Sequence, residues 1–209
     1  MARVEAEGAT SKYERVQGHQ HFWNYTICGG RQVDEISWDE AIELASPYPY
    51  VLAVTLDRKG KPNIIGLGWW TITSWQPRMI AISIGHPRYS HECLEHCGEF
   101  VLCFPSEEQA RGAWFCGNAS GRNVDKFAET GFKQAPSKAV KPPIIDASTV
   151  AFECRVVKKM ETGDHTLYVG EVVAVHGSPS RPKHLYSIEY RRLISIDTKG
   201  NANFRLEYE

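Results

Sequence analysis

The sequence predicts a mainly β protein, a barrel carrying short helices. Apolar residues recur with period two, or run on continuously, in several stretches of five to eight residues. Turn residues punctuate these stretches at close intervals. The helical patterns are short and inserted late, so they do not alternate with strands as a βαβ sheet requires. A chain of 209 residues suits one large all-β body with an extension. Residues 1–45 read as an N-terminal extension with a short helix, and 46–209 as the barrel domain.

The first twelve or so residues read as loose, and 13–35 mix aromatics with Gly29-Gly30 and carry no clear period. Ser37-Trp38-Asp39-Glu40 is a capping-box pattern that opens a helix to about Ala45, stopped by Pro47 and Pro49. Tyr50–Leu56 and Pro62–Leu67 then form a hairpin about the Asp57–Gly60 turn. Met79–Ile84 and Phe100–Phe104 are further strands. Between them a two-turn helix runs from Ser90 as N-cap to Cys97, with Gly98 after it. A second capping box, Ser106–Gln109, begins a helix ending near Gly117, and a third short helix covers Asn123–Glu129. Past the Pro-rich 135–143 segment, Val150–Met160 and Leu167–His176 make a long hairpin about Thr162-Gly163-Asp164. Arg192–Asp197 and Phe204–Tyr208 are the last strands.

Composition narrows the function classes. With 24 basic against 25 acidic residues, the net charge of −1 gives no long-range pull toward nucleic acid or an anionic membrane. No apolar run approaches the roughly 18 residues of a membrane span, and Met1–Gly8 lacks the apolar core of a secretory signal. The expected setting is cytoplasmic. There, the six cysteines are expected as thiols rather than bridges.

Two loops have the make-up of an anion site. Pro87-Arg88-Tyr89-Ser90 leads into a helix, whose unpaired N–H groups and partial positive charge suit a phosphate, with Arg88 as a forked clamp. A capping serine beside a solvated arginine reads the same way. Ser120-Gly121-Arg122-Asn123-Val124-Asp125-Lys126-Phe127 repeats the theme. Gly121 allows close approach, and Arg122 and Lys126 lie near one helical face with Asp125 available to orient one of them. His165 follows the Gly163-Asp164 turn, either as a structural residue or as a hydrogen-bonding or proton-donating group beside a ligand. Asn63–Trp75 joins glycines to aromatics and hydroxyls, as a bulged core strand or as the cover of a flat ligand.

Two alternatives fail on spacing. Gly66-Leu67-Gly68 lacks the third glycine and the βαβ frame of a dinucleotide fingerprint. In His91–Cys97, the Cys93/Cys97 and His91/Glu95 pairs point in different directions and no matching pair follows, so no metal site is expected.

As a set, these segments resemble the flavin reductase-like proteins with an FMN-binding split barrel, and within them the flavoredoxin-type branch. The resemblance runs from about Pro49 to Asp197. It rests on Asn63–Trp75 with Pro77 and Met79–Ile84, on Arg88-Tyr89-Ser90, on Ser120–Phe127 and on Gly163-Asp164-His165. It implies a six-stranded Greek-key split barrel, a homodimer, and non-covalent FMN near the subunit interface, with NAD(P)H or a protein as electron donor. By position, Arg88, Tyr89, Ser90, Ser120 and Lys126 would approach the phosphate. Trp69, Trp70 and Thr71 would line the ring, Asn63, Gly68 and Ser83 would complete the cofactor set, and His165 would be catalytic. The implied activity is an FMN-dependent oxidoreductase passing electrons to flavin, a metal complex or a protein; a non-enzymatic FMN-binding module is the alternative. Gln76-Pro77-Arg78 departs from the Pro-Pro pair common in the family.

Overall fold

In the computed structural model the described residues are 34–177, 184–189, 191–197 and 200–207. The expectations for residues 1–33, and for Lys199 and Tyr208, lie outside them. The unit Ile36–Glu209 opens with α1, Trp38–Leu44. Its capping box is present: Ser37 Oγ accepts from the Glu40 N–H, and Glu40 accepts from the Ser37 N–H at 2.9 Å.

The strands are β1 (Tyr48–Pro49), β2 (Val51–Leu56), β3 (Pro62–Leu67), β4 (Trp70–Trp75), β5 (Arg78–Gly85), β6 (Glu99–Phe104), β7 (Gln134–Ala135), β8 (Ile144–Ile145), β9 (Val150–Thr162), β10 (His165–Gly177), β11 (His184–Ile188), β12 (Arg192–Ile196) and β13 (Ala202–Glu207). The helices after α1 are α2 (Tyr89–Cys97), α3 (Ala110–Asn118) and α4 (Lys126–Thr130). A seven-stranded antiparallel sheet runs β3-β2-β6-β9-β10-β5-β4, and its two end strands are joined in sequence by Gly68-Trp69 alone. A four-stranded sheet, β1-β11-β12-β13, and a two-stranded ribbon, β7-β8, complete it.

β2 shows why the large sheet holds together. Val51-Leu52-Ala53-Val54-Thr55 is buried throughout, so both faces of the strand meet apolar neighbours. Val51 and Ala53 pack with Ile80, Ile82, Phe100 and Tyr168 on one side. Leu52 and Val54 pack with Ala113, Cys116, Phe127 and Leu193 on the other. Each fully buried aliphatic side chain contributes roughly 1.5–3 kcal/mol relative to exposure. The second cluster draws α3, α4 and the small sheet against the large one, and this packing positions the loops described next.

Several elements differ from expectation. The N-cap of α2 lies two residues early, at Arg88 rather than Ser90. The Ser106 box opens a 3-10 turn, Glu107–Gln109, before α3. α4 starts at Lys126 rather than Asn123, because Asp125 is its cap and accepts from the N–H groups of Phe127 and Ala128. β1, β7, β8 and β11 are short additions the pattern did not single out. The five described cysteines are free thiols, and no described helix is long and apolar enough to cross a membrane.

Candidate functional site

The Pro87–Ser90 loop and the Ser120–Lys126 loop converge. Both line one cavity of about 210 Å³, with Asn63 of β3 and the C-terminal end of α3 as its other walls. A second cavity of about 400 Å³ adjoins it, and the two share Ile65, Arg88, Gly117 and Asn118. Together they form one cleft with a polar end and a flat, glycine-lined end.

At the polar end, α2 points its N-terminus at the cavity, and its first-turn N–H groups favour an anion. Ser90 and Asn63 are buried, and Asn63 Nδ2 donates to Ser90 Oγ at 2.7 Å. The other amide atom, Asn63 Oδ1, is buried with no partner among the described residues. Ser120 lines the same cavity and accepts from the Arg122 N–H at 3.4 Å. Lys126 is 4% exposed and donates to the carbonyls of Ile64 and Cys116. Its ammonium has a third proton, and its desolvation pulls the pKa down to about 8. Burial pushes the neighbouring thiols up, Cys93 to about 11 and Cys116 to about 12, so neither supplies a thiolate at neutral pH.

Arg88 borders both cavities, and its side chain has no hydrogen-bond or ion-pair partner among the described residues. That leaves its fork free for a ligand. Tyr89 closes the polar end. Its hydroxyl donates to Asp57 at 3.2 Å, and burial together with nearby negative charge raises its pKa to about 12. Arg122 lies over the Tyr89 ring and bonds the Pro87 carbonyl at 3.0 Å and Glu92 at 3.3 Å. Arg122 thus staples the two loops. Asp125 orients neither Arg122 nor Lys126; it caps α4 and pairs with Lys61 at 3.1 Å.

At the flat end, Gly66, Gly68, Ser83 and Gly85 join Trp69 and His165 in the lining. The Trp69 and His165 rings lie 4.8 Å apart, and His165 Nδ1 meets Asp164 Oδ1 at 2.7 Å. Tyr50 forms part of the lining, its hydroxyl wedged between Gly66 and Gly117 and bonded to the Ala113 carbonyl at 3.2 Å. Ser187 adds a buried hydroxyl with no partner among the described residues.

Trp70 and Thr71 are not brought to the cleft. Period two turns Trp70 to the opposite side from Trp69, where its Nε1 donates to the Pro49 carbonyl and its ring meets Phe104 edge-on at 5.0 Å. Thr71 is exposed and bonds the Ile72 carbonyl. Sequence reasoning passed over Gly117, Asn118, Tyr50 and Ser187. Gly117 had a signal, since a glycine at a helix end often marks close packing; Ser187 had none.

The residues present fit a phosphate-bearing planar ligand. A free guanidinium, a buried ammonium and a helix N-terminus converge on a small polar cavity. The unpartnered Asn63 oxygen belongs to that cavity, and the Ser187 hydroxyl lines the glycine-containing space beyond it.

Comparison with known proteins bears on the family and the fold. A curated relative from Archaeoglobus fulgidus, itself uncharacterized, is 39% identical over 131 residues, 62% of this chain and 74% of its own length. An uncharacterized Pyrococcus abyssi protein is 35% identical over 54% of this chain, and the match spans 64% of that protein. Among solved structures, flavoredoxin of Desulfovibrio vulgaris (Miyazaki F) superposes with a TM-score of 0.63 at 28% identity, covering 79% of this chain and 90% of that one. The Streptomyces globisporus NADH:FAD oxidoreductase shares the fold at 19% identity, with a TM-score of 0.67 over 77% of this chain and 96% of its own. The flavin reductase like domain model matches residues 44–193. A mainly β split-barrel body of this topology, matched over that span, belongs to the flavin reductase-like family.

Proposed function

We propose that this chain is an FMN-binding oxidoreductase of the flavin reductase type. The observation that carries the reading is the continuous cleft bridged by Arg88, cationic at one end and flat, aromatic and glycine-lined at the other. Arg88, Ser90, Ser120, Lys126 and the α2 N-terminus hold the phosphate. Asn63 and Asn118 face the sugar-alcohol chain. Gly66–Trp69, Ser83 and His165 flank the ring. Closure of the polar end by Tyr89 on Asp57 and Arg122 on Glu92 supports a monophosphate.

When bound, FMN supplies the redox chemistry, taking electrons from NAD(P)H or a protein donor and passing them to flavin, a metal complex or a protein acceptor. The chain's own residues bind, orient and exclude water. His165, on the rim of the ring cavity, carries a hydrogen bond to whatever polar edge is placed there. A homodimer is supported by Ile72 and Trp75 of the edge strand β4, which are 50% and 81% exposed.

The test is direct. Purified protein saturated with FMN should be yellow and bleach under anaerobic NADH or NADPH. A colourless protein that takes up no FMN removes the proposal. Bound FMN that stays oxidised with both nicotinamides and a protein reductant leaves only the binding module.

A further inference from the structure

His165 is held more tightly than a histidine at a hairpin end needs to be. Gly163 takes φ +65° in the two-residue turn between β9 and β10. The His86 N–H donates to the Asp164 carbonyl at 3.0 Å, pinning the turn to the β5–α2 loop. Thr162 Oγ1 donates to the His165 carbonyl at 3.2 Å. The imidazole is then fixed on three sides: Asp164 Oδ1 at Nδ1, the Trp69 ring at 4.8 Å, and Gly85 beneath it. A Cβ at Gly85 would stand 3.3 Å from Nε2, so a bare glycine gives that edge of the ring its room on the cavity wall that His165 and Gly85 share.

These contacts assign the proton. The Asp164 carboxyl is held below its ordinary value, chiefly by its bond with His165, so it is ionised at neutral pH and accepts only. Nδ1 therefore carries hydrogen, and in the neutral ring Nε2 is left as a lone pair. The other ionisable groups nearby are His86, whose charge acts on Asp164, and Arg88, which lines the same cavity. Neither accepts a hydrogen bond from Nε2–H in the structure.

We propose that Asp164 is a positioning residue that fixes His165 in the Nδ1–H form, so that Nε2 is an acceptor for an amide or imide N–H of the ligand. The inference rests on the flavin-binding reading and adds the class of group His165 meets. Two sources carry that chemistry: the imide N–H of the flavin ring and the carboxamide of a nicotinamide.

Two measurements test it. Nitrogen-15 spectra of the unliganded protein at pH 8 should show His165 as the Nδ1–H tautomer, and Asp164→Asn should shift it toward a mixture. A wild-type ring already in the Nε2–H form, or one unmoved by Asp164→Asn, overturns the proposal. Equilibrium binding then compares FMN with N3-methyl FMN, and NADH with its acetylpyridine analogue, in wild type and His165→Leu. One pair should show about a 5- to 10-fold preference for the N–H donor in wild type, lost in His165→Leu, as expected for one neutral hydrogen bond. The pair that responds identifies the source. No preference in either pair overturns the proposal. A wild-type protein that takes up no FMN instead sinks the flavin reading, which the tautomer spectra do not depend on.

Discussion

Lys126 Nζ donates to the Ile64 carbonyl at 2.6 Å and so joins the first turn of α4 to the edge strand β3 at the floor of the polar cavity. Its second bond, to the Cys116 carbonyl at 2.7 Å, adds the end of α3. One buried ammonium thus sets the distance between three elements. Lys126→Met removes the charge and strands two carbonyls. It should lower stability by about 2–4 kcal/mol, read by denaturant unfolding, and weaken FMN binding at least tenfold.

The same residue makes binding pH-dependent. Its folded pKa, about 8, lies below the ordinary lysine value because burial disfavours the charge. The penalty on folding is full below pH 8 and is relieved as pH rises from there toward the unfolded value of 10.5. Ligand binding runs the other way. The FMN phosphate is a dianion above roughly pH 6–7, and Arg88 stays charged. FMN affinity should therefore fall by up to about tenfold per unit above pH 8, and Lys126→Met should flatten the profile. A flat wild-type profile between pH 7 and 10 would take Lys126 away from the phosphate.

Arg88→Ala separates binding from folding. The side chain is exposed and has no partner among the described residues, so the melting temperature of the unliganded protein should hardly move. FMN affinity should drop by about 1.5–3 kcal/mol, the usual loss for a hydrogen bond to a charged group. Thermal unfolding reads the first quantity and isothermal titration the second.

Trp69 and Trp70 should part company. Trp69→Ala strips the cover from His165 and should weaken FMN binding. Trp70→Phe breaks a bond to the Pro49 carbonyl outside the cleft, so it should cost about 1 kcal/mol of stability and leave FMN affinity within about twofold. Equal losses of affinity in both variants would show that Trp70 reaches the ligand.

These two tryptophans also mark how much the chain discloses by itself. Strong periodic runs such as Pro62–Leu67 are legible because burial on one or both faces fixes their pattern, and the Ser37 box is legible because capping is local. The convergence of the Arg88 and Ser120 loops was legible because both combine a basic residue with a helix start. Side-chain direction was not. Whether Trp69 or Trp70 faces the cleft depends on register at the Gly68-Trp69 link, which one residue inverts. β11 escaped notice because its buried positions alternate between Leu185 and Ser187, and a buried serine breaks the apolar signal. Lys126 looked like a surface cation on a helix, since only tertiary packing reveals two carbonyls waiting for it.

Gly121→Ala tests the close approach of the two loops. An added Cβ would fall 2.0 Å from Asn63 Oδ1 and 3.0 Å from Tyr89 Cδ1, so Asn63 must move and its bond to Ser90 must break. Overpacking of this kind costs about 1–3 kcal/mol, and FMN affinity should fall with it. Gly163→Ala is a useful contrast. It meets no atom but is strained at φ +65°, so it should cost stability while leaving the polar cavity intact.

Glu153 offers a prediction outside the cleft. It is fully buried, accepts from the N–H groups of Lys138, Ala139 and Val140, and meets His176 Nε2 at 2.6 Å. Burial pushes its pKa up, but the backbone N–H groups and His176 outweigh that, and the net shift is downward. A carboxylate whose folded pKa is depressed stabilises fully above its unfolded value of 4.5, and that stability is lost as pH falls through the folded value. Glu153→Gln cannot accept from all four donors at once. It should cost about 3 kcal/mol at pH 7, flatten the acid limb of the stability profile, and release the 138–140 segment to hydrogen exchange. Because Glu153 lines neither cavity, FMN affinity should be unchanged, and a parallel loss of binding would show that the segment it anchors supports the cleft.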